Sequence, residues 1–197
     1  DGDAAVPLCL VNTHLFGHPR APHIRILQTY VLLKEVQRLV GEDVAMVFMG
    51  DLNAQPADAV SSLVLDGQIA ADCLDWRLGA GWTCIETKEE REEAWHNPST
   101  QEVPSEDDVY PKRELRIGST LATACPEPPA TYFNAGAAFL LDYIFYSPQH
   151  LRIQRKYPHF SLDRMKRDVA IPSEAFGSDH VSLLVDLQWT AERRPTP

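Results

Sequence analysis

The chain has 197 residues, 44% hydrophobic and 23% charged, which is enough for one domain with a core of its own. No apolar run reaches eighteen residues, which argues against a membrane partner, and the net charge of −10 lacks the basic footprint of a sequence-blind duplex binder. Four scattered cysteines, Cys9, Cys73, Cys84 and Cys125, show no CxxC spacing, so reduced thiols in an intracellular protein are expected rather than a disulfide scaffold or a zinc site.

The chain opens on DGDAAVPLCL, without an initiator Met, a basic n-region or an apolar h-region. It is expected to be the C-terminal half of a longer domain, with the missing N-terminal half as a partner. The choice between mitochondrial and cytoplasmic location would rest on that upstream sequence. Residues 7–15, PLCLVNTHL, read as a buried strand delivering His14 at its end. Residues 24–40 carry apolar side chains at 24, 27, 31, 32, 36, 39 and 40, a helical stripe opened by Pro22 and stopped by Gly41. VAMVFMG, residues 44–50, is a continuous apolar run that predicts a strand buried on both faces. Residues 57–65 predict a short helix, with Asp58 in its first turn and Gly67 beyond its end.

Residues 68–129 lack clear periodicity. Within them, residues 86–114 hold ten acidic and four basic residues interrupted by proline, and are expected to form a long solvated loop. FLLDYIFYS, residues 139–147, reads as one strand, residues 151–157 as another, and the alternation Val181, Leu183, Val185, Leu187, Trp189 as the last. Residues 190–197 are a tail. Strands and helices in this order predict an α/β fold, one partial domain over 1–189, with polar residues gathered at strand ends.

Those strand ends carry the chemistry. Asp51 and Asn53 follow a buried strand two residues apart, so a carboxylate and an amide oxygen face one space. Such hard oxygen ligands suit Mg²⁺, with Mn²⁺ as the alternative. Asp142 lies among large apolar neighbours, where a carboxylate needs a partner. An imidazole, His180 or His14, would be fixed in tautomer and made more basic by it. Asp179 and His180 are adjacent and point to opposite sides, so a carboxylate can serve a metal while an imidazole meets a phosphate. The other histidines, at 18, 23, 96, 150 and 159, fall in loops or helix starts. No GxSxG, P-loop or GxGxxG occurs.

NTHL at 12–15, GDLN at 50–53, LDYIF at 141–145 and GSDH at 177–180 stand in an order that resembles the endonuclease/exonuclease/phosphatase superfamily. The stretches NTHLFGHPRAPHIRILQ, GDLNAQP and SDHVSLLVDLQW are similar to its deadenylase branch, nearest to the 2',5'-phosphodiesterases of that branch. The resemblance implies a two-sheet α/β sandwich, Mg²⁺ dependence, and hydrolysis of single-stranded RNA, either 2',5'-linked oligoadenylate or poly(A). It implies a catalytic Asp51 near metal and attacking water, and Asn53 as substrate ligand. Asp179 would be the metal-associated carboxylate, His180 with Asp142 the His–Asp pair, His14 a phosphate contact and Pro19 a base contact. The family's metal-binding Glu would come from upstream of Asp1. The upstream half would also cover the strands near residues 8–12 and 44–49. The branch's stacking aromatic is replaced by Ala137, with Phe139 the nearest substitute. Two alternatives stand beside this expectation. One is a non-catalytic fragment or pseudoenzyme, and the other a phosphatase or phospholipase of the same superfamily.

Overall fold

The computed structural model describes residues 7–41, 43–80, 82, 87–96, 113–125, 130–134, 137–168, 171–174 and 176–190. In chain order these form β1 (Leu8–His14), α1 (Pro22–Val40), β2 (Ala45–Asp51), α2 (Ala59–Asp66), β3 (Gln68–Ile69), α3 (Leu74–Ala80) and α4 (Lys88–His96). They continue with β4 (Leu115–Arg116), β5 (Ala122–Thr123), β6 (Tyr132–Asn134), β7 (Ala137–Phe139), β8 (Asp142–Tyr146), β9 (Leu151–Lys156), α5 (Leu162–Met165) and β10 (Val185–Trp189). The fold is α/β. It divides into two compact units, Asp1–Thr13 with Val40–Asp51 and Leu121–Pro197, and His14–Leu39 with Leu52–Thr120.

The first unit is built on a four-stranded sheet in the order β1-β2-β8-β5. β2 and β8 are antiparallel, in register from Val47↔Tyr146 to Asp51↔Asp142. One face of this pair, with Ala45, Val47, Met49, Ile144 and Tyr146, packs on Leu151, Leu187 and Trp189 of the antiparallel β9–β10 pair. The opposite side chain Phe48 is fully buried and stacks on Phe145 at 6.0 Å. β2 is therefore buried on both faces, as its unbroken apolar run predicts, and it is not left uncovered as expected. β1 differs. Only Val11 is buried, while Leu8 and Leu10 are 45% and 64% exposed, so the strand is not the buried one its pattern implied. A second cluster, Phe133, Met165, Ile171 and Val181, ties the β6 strand to α5 and to the segment that carries His180.

In the second unit, α1 begins at Pro22, where a missing N–H costs nothing, and buries Ile26, Thr29 and Leu33. α2 has Asp58 as its N-cap rather than in its first turn, and ends on Gly67 in the left-handed region at φ 73°. Residues 68–129 hold more structure than their composition implied. α3 buries Trp76, whose Nε1 donates to the Arg113 carbonyl at 2.9 Å, and β3 pairs with β4. α4 lies inside the expected acidic loop. Its start is a capping box: Glu90 N–H donates to Thr87 Oγ1 at 3.1 Å and Thr87 N–H to Glu90 Oε2 at 2.7 Å. Two reciprocal caps at the helix start outweigh the charge density there. The rest of that stretch, residues 97–112, lies outside the described residues, as does the tail from 191 on. Two strand expectations are also corrected. FLLDYIFYS splits into β7 and β8, and the last strand starts at Val185, because the Val181 N–H is spent on the Thr131 carbonyl at 2.7 Å.

Candidate active site

Gly50 explains why GDLN begins with glycine. Its φ is +133°, and a Cβ there would lie 1.9 Å from the Thr13 carbonyl oxygen of β1. Only glycine lets the two strands approach this closely at that backbone angle. Asp51 follows as the last residue of β2, directly across from Asp142, the first of β8. Two carboxylates opposite each other on antiparallel strands repel, so something must offset them.

His180 does. Its Nδ1 is 2.7 Å from Asp142 Oδ2 and its Nε2 is 3.8 Å from Asp51 Oδ2. One donor atom from each of the three lies within 4.8 Å of the others. The side chains keep 14% exposure at Asp51, 24% at Asp142 and 29% at His180, so the group is sheltered yet open to solvent on one side. Of the two histidines offered as partners for Asp142, His180 is the one in contact. Nδ1–H donates to the Asp142 carboxylate, which leaves Nε2 as the nitrogen that faces Asp51.

The donor chemistry fits a hard divalent cation in part. Asp51 Oδ2 lies 3.8 Å from His180, beyond hydrogen-bond distance, whereas Asp142 is already committed to His180 at 2.7 Å. Asp179 is half-buried and lies outside this three-residue group. Its carbonyl accepts the Phe133 N–H at 3.0 Å, and the His180 N–H is turned to Ser178 Oγ at 3.1 Å.

In the second unit, Asn53 adopts φ 48°, a left-handed conformation that asparagine tolerates. Its Nδ2 donates to the Leu15 carbonyl at 2.9 Å, and Gly17 leaves only van der Waals room beside its side chain. His14 is exposed at the end of β1, and Pro19 is half-buried in the turn after it. That turn is fixed by Arg25, whose guanidinium donates to the His18 carbonyl at 2.7 Å. His23, expected to be an ordinary histidine, and His18, set apart from the others by its closeness to His14, join Phe16 in a ring cluster around Trp82 with centroids 5.8 Å from it. Burial, and secondarily Arg25, hold the His23 pKa below its usual range.

Sequence reasoning missed Tyr132. Its ring meets that of His180 in an edge-to-face pair with centroids 5.1 Å apart at 62°, and it stacks on Phe139 at 6.2 Å. Phe139 is thus one ring away from the imidazole, while Ala137 sits at the far end of the same pair, opposite Asn134. The signal was faint, a β-prone TYF triplet ten residues upstream of LDYIF.

Over 190 residues the chain is 30% identical to 2',5'-phosphodiesterase 12 of Mus musculus, covering 95% of this chain and 27% of that protein. It is 25% identical over 189 residues to carbon catabolite repressor protein 4 homolog 1 of Arabidopsis thaliana, covering 95% of this chain and 31% of the other. The chain thus spans roughly a quarter to a third of the curated relatives it matches. Among solved structures, ANGEL2, described as a 2',3'-cyclic phosphatase in complex with adenosine-2',3'-vanadate, shares the fold with a TM-score of 0.68 at 22% identity, over 91% of this chain and 56% of that one. Among the described residues no helix is long and apolar enough to cross a membrane. The model of the Endonuclease/Exonuclease/phosphatase family matches residues 2–180, which include all four motifs, and the chain belongs to that family.

Proposed function

We propose that this chain carries the C-terminal part of a divalent-metal-dependent phosphodiesterase site that hydrolyses RNA, with 2',5'-linked oligoadenylate or poly(A) as substrate. The observation that carries the reading is the Asp142–His180–Asp51 line, with a 2.7 Å contact on one imidazole nitrogen and a carboxylate 3.8 Å from the other. Asp142 fixes the tautomer, so Nε2 is the nitrogen presented to substrate. Asp51 orients and deprotonates the attacking water, and His180, carrying a proton on Nε2 as well as on Nδ1, donates the Nε2–H to the scissile phosphoryl group as charge builds on it. Asn53 and His14 supply further polar contacts to the phosphate, and Pro19 an apolar contact to a base. Asp51 and Asp179 would hold the cation, Mg²⁺ or Mn²⁺. When bound, it neutralises phosphoryl charge. No covalent enzyme intermediate is formed.

The test is cleavage of 2',5'- and 3',5'-linked oligoadenylates with Mg²⁺. The 197-residue chain alone is expected to be nearly inactive, and the protein extended upstream by a carboxylate-bearing half to turn over. Asp51→Ala should then abolish cleavage. Unchanged turnover in Asp51→Ala would refute the reading. Release of phosphate from a terminal monoester without internal cleavage would favour a phosphatase.

A further inference from the structure

Thr131 is fully buried one residue before β6, and it bonds the backbone of Asp142 and of Val181, the residue after His180. Its hydroxyl oxygen accepts two backbone N–H groups, from Leu141 at 3.0 Å and from Asp142 at 2.9 Å. Its carbonyl accepts the Val181 N–H at 2.7 Å, immediately after His180. The next residue, Tyr132, forms a β-bridge with His180 and pairs its ring edge-to-face with the imidazole. The carboxylate's strand is thus pinned through the Thr131 side chain, and the imidazole's loop through the Thr131 backbone. A side chain with one oxygen on Cβ is the shortest that can accept two adjacent amides, and here it satisfies both in a part-buried place.

We infer that Thr131 is the positioning residue of this site: it registers the first residue of β8 against the His180 loop and so sets the Asp142–His180 contact. Asp142 leaves the sheet end where β8 begins, and the loop before His180 has few ladder bonds of its own. The contact between them therefore depends on a third element that binds both. The inference rests on the phosphodiesterase reading only for its kinetic arm.

Thr131→Val keeps shape and removes the acceptor, and Thr131→Ser keeps the acceptor and removes the methyl. Two readouts are used. In proton NMR the His180 Nδ1–H, donated to a carboxylate, gives a downfield signal, assigned by its loss in His180→Ala. This signal should vanish or broaden in Thr131→Val and persist in Thr131→Ser. In the cleavage assay on the full protein, Thr131→Val should lower kcat by about a hundredfold, as a misplacement of order 1 Å does, with KM little changed, and Thr131→Ser should restore it. A folded Thr131→Val that keeps the downfield proton and wild-type kcat overturns the inference. So does loss of both in Thr131→Ser, which would mean the methyl and not the hydroxyl matters. If Thr131→Val does not fold, amide exchange in the wild-type chain decides: the Leu141, Asp142 and Val181 amides should be as protected as the interior of β8, and fast exchange overturns the clamp. A wild-type protein that cleaves no phosphodiester would remove the functional reading, while the NMR signal would still decide the role of Thr131.

Discussion

Asp51→Asn separates the stability of this site from its function. Asp51 and Asp142 face each other across β2 and β8, with donor atoms no more than 4.8 Å apart. At that distance two unit charges repel by about 1 kcal/mol at the permittivity of water and about 3.5 kcal/mol at an effective value near 20. The two side chains are mostly buried, at 14% and 24% exposure, which favours the higher figure, but His180 against Asp142 offsets part of the repulsion, so the lower figure is taken as the minimum. Removing one charge while keeping the side-chain shape should stabilise the fold by about 1 kcal/mol, a rise of about 2–4 °C in Tm for a domain of this size. The measurement is a thermal melt at low salt in a chelator, then with saturating Mg²⁺. In chelator the variant should melt higher than the parent. Mg²⁺ should raise the parent, by about 2.7 kcal/mol at a hundredfold excess over Kd, and raise the variant much less, so the order of the two melts reverses. A variant that melts at or below the parent in chelator, or that responds to Mg²⁺ equally, would show that Asp51 is neither repelled there nor a ligand.

Asp142→Ala should leave His180 without its orienting carboxylate and lower kcat by about 10²–10⁴ with little change in KM; steady-state kinetics on an oligoadenylate checks it. Gly50→Ala should cost at least about 1–2 kcal/mol from its backbone angle alone, and more because the new Cβ would meet the Thr13 carbonyl at 1.9 Å; a circular-dichroism melt reads the loss. Burial raises the pKa of Asp58 and of Asp75 above the usual range, against the pull of the Gln55 and Ala59 amides and of Arg25. The folded chain therefore binds protons more tightly than the unfolded one. Stability attributable to this pair is greatest below the ordinary Asp pKa and falls as pH rises through the folded-state values. Melts across that window should show the decline, and Asp58→Asn should flatten it.

The doubly buried β2 and the Gly67 stop were legible in the sequence because each is written locally, in an unbroken apolar run and a glycine; α1 was legible as a helix between Pro22 and Gly41, but not its core face, since none of the stripe residues 24, 27, 31, 32, 36, 39 and 40 is buried while Ile26, Thr29 and Leu33 are. GDLN and LDYIF were legible as polar residues at strand ends for the same reason, whereas SDH stands ahead of β10 with His180 held by a bridge to Tyr132. α4 was also written locally, in Thr87 and Glu90, but its charge density hid the capping box. What sequence could not decide was pairing. That His180 rather than His14 meets Asp142 follows from the antiparallel register that sets Asp51 opposite Asp142 and from the loop that Thr131 ties to β6. These contacts join residues 38 positions apart in the case of Asp142 and His180. Only chain folding brings them into reach, because a hydrogen bond acts over about 3 Å and composition carries no record of which distant groups come that close.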